Sequence, residues 1–239
     1  LCIAALTRKL SFNDERGAAM ELDHIFIFTP RGAPQADRLC EFGLSEGSPN
    51  RHPGQGTANR RFFFHNAMLE LLWLDDLEEA QSEGCAATRL WQRGTRSDPS
   101  ISPFGVCFRP SGEEPRVAPF PSWSYRPAYL PASLAVEIAT DAPLSEPMWF
   151  YLNFAARPDK AAPQKRQPLD HAAGFKALSA VCVVAPTIAT LSTAAQMACQ
   201  GGTVSMVAGS EHRLELSFDG AAQGRRQDFR PALPLVFRW

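Results

Sequence analysis

The segment Ala67-Met68-Leu69-Glu70-Leu71-Leu72-Trp73-Leu74 carries one charge, Glu70, in an otherwise apolar run. A strand that is apolar on both faces is buried on both faces, so this chain must build a sheet covered on each side. A carboxylate in such a strand loses its water and is tolerated only when paired, protonated or bound to a metal. Glu70 is therefore the leading catalytic candidate. A core ion pair with Arg60 or Arg61 on the neighbouring strand is the purely structural alternative.

The chain of 239 residues, 45% of them hydrophobic, can bury a full core. Its formal net charge of −1 gives no field that attracts nucleic acid or an anionic membrane. The six cysteines form no C-x-x-C pair. Cys107 and Cys182 fall in apolar strands, as reduced thiols do, and a cytoplasmic setting is expected. No apolar stretch approaches the ~20 residues of a membrane-spanning helix. Residues 1–19 read as a flexible tail or an over-extended reading frame, with one domain over 20–239.

Residues 21–29 form a β-branched and aromatic strand that stops at Pro30-Arg31-Gly32. Residues 34–42 have helical spacing closed by Gly43. Residues 47–59 are a Gly- and Pro-rich loop or irregular edge strand. Residues 60–65 and the Glu70 run make a hairpin, completing a β-α-β-β-β unit. Surface helices follow over 75–93, then short strands at 103–110, 134–139 and 148–154. The Pro- and aromatic-rich residues 119–131 cannot be a central strand and read as an extended segment over a groove.

The last third repeats the opening. Asp23-His24-Ile25-Phe26-Ile27-Phe28-Thr29-Pro30 overlays Ser179-Ala180-Val181-Cys182-Val183-Val184-Ala185-Pro186, and Leu69-Glu70-Leu71 overlays Leu214-Glu215-Leu216. Residues 203–208 and 212–219 are expected to form a second hairpin. The expected organisation is module one at 20–100, an insert at 101–170, and module two at 171–239.

Together, Leu22-Asp23-His24-Ile25, Gly56-Thr57-Ala58-Asn59, Leu69-Glu70-Leu71-Leu72 and the weaker repeat resemble the glyoxalase-like branch of the vicinal oxygen chelate superfamily. The resemblance covers most of 20–75 and 175–239. It implies an α+β fold in which two βαβββ modules form a cupped, partly open mixed β-barrel with helices outside. It also implies metal ligands on the first and last strands of each module. Carried over, these are His24, Glu70 and Glu215, with Ala180 standing where a fourth would be.

His24 is expected on a buried or pocket-lining face shared with Leu22 and Phe26; an inert, hydrogen-bonded histidine is the alternative. Glu215 lies on a polar face with Arg213 and Ser217, the pattern of a half-exposed strand. His65 and His212 are candidates for a missing ligand or proton carrier. Asn59, Arg126, Trp123 and Tyr125 are candidates for substrate binding, Arg126 as a carboxylate fork. One imidazole and two carboxylates suit Mn, Ni, Zn or Mg, whereas an Fe oxygenase asks for a second histidine. The expected function is a divalent-metal-dependent lyase, isomerase or oxygenase acting on a small molecule with adjacent oxygens. The alternative is a metal-free protein of the same fold that sequesters a small molecule. Neither nucleic acid nor membrane is an expected partner, and a homodimer is left open.

Overall fold

The computed structural model describes residues 20–112, 117–188 and 190–239. The expectation for residues 1–19 lies outside them. The chain opens with β1 (Met20–Phe28), α1 (Ala36–Phe42), β2 (Asn50–His52), β3 (Thr57–Phe63) and β4 (Met68–Leu74). Three short helices follow, α2 (Leu77–Ala80), α3 (Glu83–Ala86) and α4 (Leu90–Thr95). Next come β5 (Phe104–Pro110), β6 (Ser122–Tyr125), β7 (Val136–Ala139) and β8 (Met148–Tyr151). The last third holds β9 (Leu178–Ala185), α5 (Thr193–Gln200), β10 (Val204–Ala208), β11 (Arg213–Phe218), β12 (Arg226–Asp228) and β13 (Leu235–Arg238).

The first eight strands form one mixed sheet, curled into a half-barrel, in the order β2-β3-β4-β1-β5-β8-β7-β6. β1 and β4 are parallel, as are β5 and β8, while β1 and β5 run antiparallel at the centre. The strand pattern therefore repeats about the β1–β5 seam. Its second half comes from residues 104–151, inside the segment that the sequence marked as an insert. β6, from the Pro- and aromatic-rich stretch, takes the sheet edge, where its flanking prolines cost no ladder bonds.

Alternation splits the side chains between the two faces of this sheet. Ile25, Ile27, Leu69, Leu71, Phe104, Val106, Trp149 and Tyr151 point to the convex side, into a core shared with the second sheet. Phe26, Phe28, Leu72, Cys107, Met148 and Phe150 line the concave side. Gly105 is needed between them, because a Cβ there would lie 2.1 Å from the Phe26 ring. The apolar run around Glu70 thus arises because both faces of β4 are covered.

The second sheet has the order β10-β9-β11-β13-β12. Here the expected repeat fails. β10 and β11 do not form a hairpin but flank β9 on opposite sides, β10 parallel and β11 antiparallel. The similar strand–helix–strand grammar leads to different pairing because neither strand-to-strand connection constrains which edge of β9 is taken. This sheet packs against the convex side of the first through an aromatic cluster. Phe175 stacks on Phe218 at 4.2 Å and meets Phe237 and Trp239, and Phe64 lies 4.7 Å from Phe218.

Because one core spans both sheets, truncating fully buried Phe175 should cost ~3–5 kcal/mol. Phe175→Ala is expected to lower the midpoint of a single urea transition followed by circular dichroism and tryptophan fluorescence. Two separate transitions would show that the sheets unfold independently.

Candidate active site in the cup

A break in the β1–β5 ladder creates the site. Leu22 faces Phe108 and His24 faces Cys107, so two steps along β1 are matched by one along β5. Such a bulge re-aims the side chains around it. Leu22 goes to the convex core, whereas Asp23 and His24, which regular alternation would separate, both line the cup. The expectation that Leu22 and His24 share a face is corrected by this extra residue.

The bulge brings the two neighbouring side chains together. His24 Nδ1 donates to Asp23 Oδ1 at 2.6 Å. The other oxygen of Asp23 accepts from Arg109 Nη1 at 2.9 Å. Arg109, 1% exposed, also donates to Glu21 and to the Asn66 carbonyl, so each of its three guanidinium nitrogens has an acceptor. Phe150 packs edge-on against the imidazole at 5.2 Å. With Nδ1 committed, His24 Nε2 opens on the cup with no hydrogen bond to any of the described residues. A histidine held by a carboxylate in this way has a fixed tautomer and ring orientation.

Glu70 lines the same cup and is 8% exposed. Among the described residues it makes no hydrogen bond or ion pair. The expected ion pairs are not made: Arg60 binds Glu46 and Asp37, and Arg61 donates to Ser48 instead of to Glu70. The Glu70 charge instead acts through the cup on His24, His52, Arg61 and Tyr129. Burial alone would lower the His24 pKa; the charge of Glu70, then the bond to Asp23, outweigh it and hold the group above its ordinary value. Asp23 is kept below the usual carboxylate range, its burial outweighed by His24 and then Arg109.

The cavity measures about 310 Å³, the size of a small-molecule site. Its walls are Phe26, Leu72, Leu90, Val136, Met148 and Phe150. Tyr125 and Tyr129 reach it from β6 and the segment after it. Tyr129 donates to Gln55 Oε1 at 3.3 Å and packs on His52 at 4.8 Å, joining that segment to the rim opposite. His52 is held by Thr57 and Asn50, and Gly54 and Gly56 bind the Glu79 carboxylate through their backbone N–H groups. Gly56 has φ 70°, and a Cβ on it would lie 2.3 Å from the Asp76 carbonyl, so only glycine fits there.

The remaining sequence candidates go elsewhere. Glu215 is on the second sheet, held between Arg213 and Arg238, which keep its pKa low against the opposing effect of burial. It does not join His24 and Glu70, because β11 belongs to a different sheet. Asn59 is fully buried beneath β2, where its Oδ1 accepts from the Asn50 N–H; it positions the strand that carries His52. Arg126 is exposed and donates to the Ala132 carbonyl. Trp123 packs against Tyr125 from outside the cup. His65 lies 4.0 Å from Asp170, and His212 binds the Ser100 carbonyl in a separate cleft. Of the named candidates the cup retains His24, Glu70 and Tyr125. Asp23, Arg61, His52, Gln55 and Tyr129 were not selected from sequence; the adjacency of Asp23 and His24 was the available signal, but it needed the bulge to acquire meaning.

Asp23, His24 and Cys107 form a buried group of potential metal ligands whose donor atoms lie within 4.8 Å of one another. Both Asp23 oxygens are already engaged, by His24 and Arg109, which suits an outer-shell carboxylate. Cys107 is a neutral thiol, its pKa pushed well up by burial and then by Asp23 and Glu70. The free donors are His24 Nε2 and the Glu70 carboxylate, with Cys107 beside His24.

No family model matches this chain. No curated protein matches it either. Among solved structures, a hypothetical protein from Staphylococcus aureus is similar, with a TM-score of 0.49 and 11% identity, covering 92% of this chain and 99% of that one. No helix among the described residues is long and apolar enough to cross a membrane.

The raised His24 pKa has a defined sign. Its stabilising contribution is complete below the unfolded value near 6.5 and is lost as pH rises through the folded value. Glu70→Gln should lower the His24 midpoint in an NMR titration and reduce this pH dependence of stability; an unchanged midpoint would show that Glu70 does not act on the imidazole. Arg109→Met leaves Asp23 and Glu21 without their buried partner and should cost ~3–5 kcal/mol in urea unfolding.

Proposed function

We propose that this chain is a small-molecule enzyme of the vicinal oxygen chelate type, in which His24 and Glu70 carry out a proton transfer within the cup. The observation that carries this reading is the pairing of two poised groups. Among the described residues His24, oriented by Asp23 and Arg109, presents a free Nε2 to the same cavity as a buried carboxylate that has no hydrogen-bond or ion-pair partner. Sheet topology supports the family reading. A cup built from two similar strand sets would place its ligand positions on β1, β4, β5 and β8, the four central strands. Those strands carry His24, Glu70, Cys107 and Phe150, so the second half has lost much of its donor capacity.

In this reading Glu70 removes a proton from carbon next to a carbonyl. The His24 imidazolium donates a hydrogen bond to the neighbouring oxygen, where negative charge develops. Asp23 stabilises the imidazolium and Arg109 prevents Asp23 from taking the proton. Among the described residues the group whose donor atoms lie close enough to hold a divalent ion is Asp23, His24 and Cys107. A bound ion would require a neutral His24 and would supply, in place of the imidazolium, Lewis-acid polarisation of the substrate oxygens. Lyase or isomerase chemistry is favoured over oxygenase chemistry because His65 and His212 lie away from the cup, and both nitrogens of His52 are engaged. The apolar walls support a second reading, a protein that binds a small molecule without transforming it.

The test is exchange of α-carbon protons with D2O, followed by NMR across a panel of aryl α-hydroxyketones and 2-oxo acids, with metal content measured by elemental analysis. Exchange is expected with wild type and should fall by ~10²–10⁴-fold in Glu70→Gln. Ligands that bind but never exchange, with no difference between wild type and Glu70→Gln, would establish the sequestering reading instead.

A further inference from the structure

We infer that Arg61 anchors a substrate carboxylate, so that the cup takes an organic monoanion with an apolar body. This rests on the cup being a ligand site, and it names the ligand's class. Arg61 stands on β3 directly across the ladder from Glu70 and lines the cavity. No carboxylate among the described residues lies within ion-pair distance of it. Its neighbour Arg60 is held by Glu46 and Asp37, and Arg109 by Glu21 and Asp23. Among the described residues Arg61 is thus a cation in the cup that makes no ion pair, with Glu70 acting on it only across the ladder.

Its guanidinium is nevertheless held in place. Nε donates to the Ser48 carbonyl at 2.8 Å and Nη2 to the Ser48 hydroxyl at 3.1 Å. The Phe63 ring supports the group at 5.1 Å. These contacts occupy the Nε side and leave Nη1 without a partner among the described residues, so the outer end of the fork stays available. A half-buried guanidinium that is positioned but not neutralised is suited to a planar oxyanion.

The place of Arg61 directly across from Glu70 limits the ligand's charge. A single carboxylate meets the open end of the guanidinium, whereas a phosphate dianion would bring a second negative charge next to Glu70. The same cavity is lined by Phe26, Leu72, Met148 and Phe150, which match an apolar or aromatic body. Arg126, the sequence candidate for this task, is on the outside of the fold; Arg61 takes the role because β3 pairs with β4.

The probes are benzoate, 3-phenylpropanoate and 4-phenylbutanoate, each paired with its neutral amide, with phenyl phosphate as a further arm. Affinities are measured by isothermal titration calorimetry on the full chain. For wild type, at least one carboxylate should bind about tenfold or more tightly than its amide. In Arg61→Gln that preference should vanish while amide binding is retained, which also reports an intact cup; Arg61→Lys should keep part of it. Three outcomes each overturn the proposal: no carboxylate preference in wild type, a preference that survives in Arg61→Gln, or tighter binding of phenyl phosphate than of every carboxylate. The Glu70→Gln variant separates this inference from the proposed reaction. A carboxylate preference without proton exchange in any variant would remove the reaction and leave the role of Arg61 in place.

Discussion

The structure turns on the buried Arg109–Asp23–His24 chain at the bulge in β1. A carboxylate and an imidazole on successive residues cannot both face one side of a regular strand. The extra residue between Leu22 and His24 lets them do so, and it is placed at the seam between the two halves of the sheet. Arg109 comes from the partner strand β5 and ties the bulge to Glu21 and the Asn66 carbonyl as well. The bond that orients His24 is thus also part of what joins the halves. Buried charge is tolerated here because every oxygen of Asp23 and every nitrogen of the guanidinium has a partner.

Glu70 follows the opposite rule. It is buried but unpaired, on a strand whose convex side chains are locked into the two-sheet core. The rigid apolar packing behind β4 fixes where the carboxylate points, and the curl of the sheet turns that direction inward. Placing an unpartnered carboxylate, a free imidazole nitrogen and an uncompensated arginine around one cavity costs stability. The shared aromatic core around Phe175 and Phe218 offsets it from the other side of the sheet.

Much of the first half was legible in the sequence. β1, α1 and the β3–β4 hairpin follow from alternation, helical spacing and the turn at Asn66-Ala67, all local signals. The burial of Glu70 followed from its apolar neighbours, and the exclusion of residues 119–131 from the centre of the sheet followed from their prolines, although the segment was expected over a groove and instead supplies the edge strand β6. The second half was misread for a physical reason. Residues 175–219 carry the same strand–helix–strand grammar as 20–75, and grammar of this kind is local. Which edge a strand joins is decided by packing across the whole sheet. The short strands at 104–110, 136–139 and 148–151 lacked such grammar, yet they complete the cup, while β9 to β13 form the layer behind it.

The same division holds for the site. Sequence alone established that a charged group sits where water cannot reach, because the seven apolar residues that flank Glu70 between Ala67 and Leu74 leave it no other environment. It likewise put His24 on the first strand, although the structure sets it at the middle of β1 rather than at its opening. Tertiary structure decided what surrounds them. Glu215, equivalent to Glu70 by eye, is neutralised by Arg213 and Arg238 on another sheet, and Asp23, Arg61 and Tyr129 converge on the cup from segments far apart in the chain. Burial is written in a strand's own residues, whereas the partners of a buried charge are set by strand register, one bulge and the curl of a sheet.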